Sequence, residues 1–138
     1  VYYGGVFYLE LYDGADFKDI SVVESTLFHD PYEHEDYLYD LIQGGIFYTW
    51  RIPYVNIDGL YVFGDSTSDY YEYTYGLVVF ASEVDELTVK NAEIEQVQMF
   101  LEGNVLYIEE NTRAYLENVA VDGSFILDKG GVFYVKNS

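Results

Sequence analysis

The chain of 138 residues contains no cysteine, so it has neither a disulfide framework nor a thiolate metal site, and thiol usage does not report its compartment. Basic residues are scarce as well: six Lys and Arg stand against 25 Asp and Glu, a formal charge of −19. A field of that sign repels nucleic-acid phosphates and anionic membrane surfaces, so no nucleic acid is expected among its partners and neutral or cationic ones are favoured. No apolar run reads as a spanning helix or a signal segment, and no membrane insertion is expected. No stretch sustains a 3.6-residue period with caps, and no Asn-x-Ser/Thr sequon occurs. Nothing matches a Gly-x-Ser-x-Gly elbow, a Walker loop or a nucleotide fingerprint. What the chain does have is apolar bulk, half of its residues, and aromatic rings, a fifth of them, including 17 Tyr. That is enough for one domain with a core of useful size.

Its order lies in a pentad. Gly4-Gly5-Val6-Phe7-Tyr8 recurs as Gly44-Gly45-Ile46-Phe47-Tyr48 and Gly130-Gly131-Val132-Phe133-Tyr134, with degraded copies at Gly76-Leu77-Val78-Val79-Phe80 and Gly103-Asn104-Val105-Leu106-Tyr107. The terminal aromatics are 40, 32, 27 and 27 residues apart, and a gap that settles at one value is the mark of a solenoid. Seven residues after each of the first four aromatics begins an eight-residue phrase of alternating apolar positions, at 15–22, 55–62, 87–94 and 114–121. Its fifth position holds Asp19, Gly59, Asn91 and Asn118, types that tolerate a left-handed backbone, and these predict a sharp bend between two short strands.

Period-two alternation, β-branched and aromatic enrichment and Gly or Asn at the corners predict an all-β fold. The expected architecture is a right-handed parallel β-helix, a solenoid of about four to five coils, with coils at 4–43, 44–75, 76–102, 103–129 and 130–138. Residues 1–138 read as a single solenoid and, since the repeats run to both termini, as a segment of a longer protein. The Gly-Gly-aliphatic-aromatic-Tyr element, followed by an alternating strand with Asn at its bend, resembles the right-handed parallel β-helix repeat proteins. That family includes pectate-lyase-like enzymes and polymorphic outer-membrane-type adhesins. The resemblance covers nearly the whole chain. It implies architecture, and an extracellular or cell-surface setting, but not an activity.

The first two coils are longer than the rest, and both insertions fall between the phrase and the next pentad. They are expected to emerge side by side at one corner, as an acidic, tyrosine-rich ridge. The first brings His29, Asp30, Tyr32, Glu33, His34, Glu35, Asp36 and Tyr37; the second brings Asp65, Asp69, Tyr70, Tyr71, Glu72 and Tyr73, with Trp50 nearby. Such a ridge is a solvated protrusion, a saccharide-binding surface, or an oxygen-ligand site for Ca²⁺, the one candidate cofactor. His29, Glu33 and His34 lack the helical spacing of a transition-metal site. Asp65 and Asp69 would suit a polysaccharide-directed hydrolase if they stood about 5 to 9 Å apart, whereas a lyase would need more cations than Arg51 and Lys18 supply.

Apolar neighbours on either side of the aromatic column Tyr8, Tyr48, Phe80, Tyr107 and Tyr134 leave burial on both faces open, while parity with the polar positions beyond it reads the column as an outward ladder, with Phe7, Phe47, Val79, Leu106 and Phe133 inside. An outward ladder of rings would be either a plain stack or a lateral contact with another chain. With no catalytic constellation, the sequence points first to a structural or surface-interaction module. This would be a segment of a rod or filament that self-associates through its ends and tyrosine-rich faces. A carbohydrate-binding or carbohydrate-active β-helix is the alternative, with a glycan as partner.

Overall fold

The computed structural model describes residues 2–3, 5–11, 13–24, 26–27, 40–67, 71–99, 102–110, 112–123, 125–126 and 129–137. In chain order the strands are β1 (Tyr2–Tyr3), β2 (Phe7–Glu10), β3 (Ala15–Val23), β4 (Thr26–Leu27), β5 (Asp40–Gln43), β6 (Phe47–Phe63) and β7 (Ser66–Thr67). They continue as β8 (Tyr71–Tyr75), β9 (Val79–Glu95), β10 (Gln98–Met99), β11 (Glu102–Glu109), β12 (Ala114–Asp122), β13 (Phe125–Ile126) and β14 (Lys129–Lys136). The fold is all β, and its larger parallel sheet of ten strands curls like half a barrel. The short strands β4, β7, β10 and β13 make a second parallel sheet.

The register follows the repeat spacing. Phe7 pairs with Phe47, Phe47 with Val79, Val79 with Leu106 and Leu106 with Phe133. In the phrases Ala15 pairs with Val55, Val55 with Leu87 and Leu87 with Ala114. Backbone groups in the stack find partners one repeat away, as in Phe47 N to Val78 O at 2.8 Å and Val78 N to Val105 O at 2.9 Å.

The curl comes from left-handed residues in columns. The bend expected in the phrase is present, with φ of 53° at Asp19, 81° at Gly59, 52° at Asn91 and 53° at Asn118. Two further columns do the same elsewhere: Leu11, Arg51, Glu83, Glu110 and Asn137 form one, and Glu24, Gly64, Gln96 and Gly123 the other. A single left-handed residue rotates the strand, so the inward positions are two apart along a straight piece and three apart across a bend. Val79, Ala81 and Val84 show this across Glu83; Val89, Ala92, Ile94 and Val97 show it across Asn91 and Gln96.

The same rule corrects the reading of the second insertion. Asp65 lies three positions after buried Val62 across the bend at Gly64, so it points inward and is 3% exposed. Ser66 and Thr67 then form β7, and residues 71–75 form β8, so the described residues at both ends of the expected loop are paired backbone. Spacing alone does not reveal this, because two-residue strands carry no alternation of their own. The core is built from the central repeats, with Phe47, Ile52, Ile57, Leu60, Leu87 and Ile94 fully buried.

Candidate functional site

Two features of the described residues have the character of a surface for contact: the aromatic ladder and the corner beside it. The ladder follows directly from the register, because Tyr8 lies beside Tyr48, Tyr48 beside Phe80, Phe80 beside Tyr107 and Tyr107 beside Tyr134. Ring centroids stand 4.9, 5.2, 5.3 and 4.6 Å apart in that order, with planes within 13° of parallel. Tyr75 stacks on Tyr107 at 4.7 Å.

The ladder is a cluster of its own, separate from the main core. Parity predicts an outward column, yet Tyr48, Phe80 and Tyr107 are buried, with Trp50 and Tyr75 packed against them. Only the terminal rings are open, Tyr8 at 47% and Tyr134 at 40% exposure. The middle of the column is therefore internal packing, and its two ends are surface. Phenol groups within it take carboxylates two residues along the same strand: Tyr8 donates to Glu10 at 2.5 Å, and Tyr107 to Glu109 at 3.0 Å. Burial first, and then this bond to Glu109, push the Tyr107 phenol well above the ordinary tyrosine range.

At the adjoining corner, the Trp50 indole Nε1 donates to Glu83 Oε1 at 3.1 Å, and Arg51 Nε donates to Glu83 Oε2 at 3.1 Å. The Arg51 guanidinium also lies 4.3 Å from the Trp50 ring centroid. Two donors on one carboxylate hold Glu83 below the usual Glu range, the Trp50 bond first and then the Arg51 bond. Both the indole nitrogen and a ring face of Trp50 are thus engaged within the chain. Glu83, Glu109 and Tyr75 were not singled out by sequence. Counting 32 residues on from Arg51 and 27 on from Ser82 along the repeat would have found the first two.

Most of the residues expected to form an acidic, tyrosine-rich ridge fall outside the described structure. His29, Asp30, Tyr32, Glu33, His34, Glu35, Asp36, Tyr37, Asp69 and Tyr70 lie outside the described residues. Tyr71, Glu72 and Tyr73 belong to β8, and Asp65 is buried. The strand residues that flank the two insertions are paired, Leu27 with Thr67 and Asp40 with Tyr71, with a register irregularity next to the second pair. Among the described residues no three His, Asp or Glu side chains converge for a metal ion. No protein-family model, curated protein or solved structure matches the chain.

Proposed function

We propose that the chain is a structural or interaction module: a segment of a right-handed parallel β-helix of four to five coils that joins further β-structure at its strand edges. The observation that carries this is a gradient of exposure along single columns. Phe47, Val79 and Leu106 are buried, while Phe133 at the end of the same column is 50% exposed; Ile46, Val78 and Val105 are buried, while Val6 is exposed. At the end of the ring stack Tyr134 is likewise 40% exposed.

An edge strand with unpaired backbone groups and bare apolar side chains is a template for another strand. The pentads at 4–8 and 130–134 are identical, so another layer of this type set on β14 continues the ring stack on Tyr134 and covers Phe133. A role of this kind agrees with the resemblance to β-helical surface proteins, and a cell-surface or extracellular setting goes with it. Sedimentation velocity at moderate salt, which screens the charge of −19, tests the reading. The intact chain should form oligomers with rising concentration, and Tyr134→Lys should suppress their end-to-end growth by placing a charge on the edge. A chain that stays monomeric throughout would overturn the proposal.

A further inference from the structure

A second contact surface lies on the outer side of the phrase strands, away from the edges. The register sets Lys18 beside Asp58, Asp58 beside Lys90 and Lys90 beside Glu117, so one column alternates in sign through four repeats. Two of the chain's six cationic residues are spent on it. The neighbouring outward column is Asp16, Asn56, Thr88 and Tyr115. Between these positions Ile57 and Val89 turn into the core, which fixes the outward direction of the charged side chains. Lys90 Nζ lies 3.7 Å from Glu117 Oε2, and both side chains remain substantially exposed. A shallow recess of about 410 Å³ runs along this face beside Lys18, Asp58 and Lys90.

An even, alternating column has a particular symmetry. Turned over by a two-fold axis parallel to the strands, it faces itself in reverse order. Lys18 then meets Glu117 of a second copy, and Asp58 meets its Lys90. In the adjacent column Asp16 meets Tyr115, a phenol donor for a carboxylate, and Asn56 meets Thr88. No like charges oppose one another, although each chain carries −19 overall. Without the reversal every charge would face its own kind.

We propose that this face is a lateral, isologous contact between two antiparallel copies of the chain, selected by the alternating column Lys18, Asp58, Lys90 and Glu117. The inference deepens the structural role proposed above but uses a different surface from the strand edges. Two columns over four strands cover far less than the roughly 800 Å² per partner of a stable dimer, so the contact is weak and gains from repetition along a longer assembly.

The test uses Lys18→Glu and Glu117→Lys, each in a Tyr134→Lys background so that edge pairing does not contribute. Lys18 and Glu117 are three repeats apart within one chain, yet they oppose each other across the proposed two-fold. Sedimentation equilibrium should show a weak dimer for the edge-blocked parent, loss of it in each variant alone, and its return when the two are mixed. Far-UV circular dichroism of each variant checks that the fold is kept. A monomeric parent, or a mixture that behaves as the average of its components, would overturn the proposal. Either result leaves the edge-pairing reading to be judged by its own experiment.

Discussion

At the scale of single residues, the corners show how neighbours in adjacent repeats override local preference. A left-handed backbone costs an L residue roughly 1–2 kcal/mol, and Arg51 and Glu83 both adopt one, at φ of 54° and 53°. They are paired with each other across the repeat, and the register holds their backbones in place. The Asp19, Gly59, Asn91 and Asn118 corner was legible in the sequence because those types favour the conformation; the Leu11, Arg51, Glu83 and Glu110 corner was not, because those types do not. At Gly59, with φ of 81°, Val should destabilise more than Asn by about 1–2 kcal/mol in urea unfolding, because a β-branched side chain is excluded there. Equal midpoints for Gly59→Val and Gly59→Asn would show that the bend does not require that conformation. Glu83 gives a pH prediction. Its carboxylate is favoured in the folded state, so its contribution is present above the ordinary Glu value and lost as pH falls through the lowered one. Trp50 fluorescence should therefore change with a midpoint below pH ~4.3, and Glu83→Gln should abolish that transition. A midpoint at or above that value would contradict the hydrogen-bond assignment.

At the scale of elements, β6 and β9 are covered by strands on both sides, whereas β14 has a neighbour on one side only among the described residues. Phe47→Ala, in a fully buried position, should cost about 3–5 kcal/mol, and Phe133→Ala, at a half-exposed one, clearly less. Comparable losses for the two would mean that β14 is covered as well as the centre. The ladder adds a prediction at high pH. Tyr107 is held neutral, so its contribution is full below the ordinary tyrosine value near 10 and is lost as pH rises beyond it toward the raised folded value. Ultraviolet titration should show at least one phenol resisting ionisation until the chain unfolds, and Tyr107→Phe should remove that late step. The pentads and phrases were readable because each is long enough to display alternation. The strands β4, β7, β10 and β13 were not, since a two-residue strand is defined by its partner one repeat away; Asp65 was misplaced for that reason. The ladder's composition was readable, but parity did not settle which way it faces, because Trp50 and Tyr75, which cover its middle, come to it from different strand positions.

At the scale of the whole molecule, a charge of −19 on 138 residues opposes compaction through self-repulsion, and the alternating Lys18, Asp58, Lys90 and Glu117 column relieves it on one face only. The edges, the ladder and the lateral face all exist only if residues 40, 32, 27 and 27 apart lie side by side in one continuous parallel stack. The absence of native cysteine permits a direct test by disulfide formation. Tyr61 pairs with Glu93 across β6 and β9, at the ~4.8 Å spacing of neighbouring strands, which falls within the Cα separation a disulfide spans. Glu95 lies two residues further along the same strand, beside Phe63, so its Cα is diagonal to that of Tyr61 and beyond easy reach. The account predicts rapid, near-complete oxidation of the Tyr61→Cys, Glu93→Cys variant and little in Tyr61→Cys, Glu95→Cys; faster bridging in the second variant would contradict the register, and with it the stack.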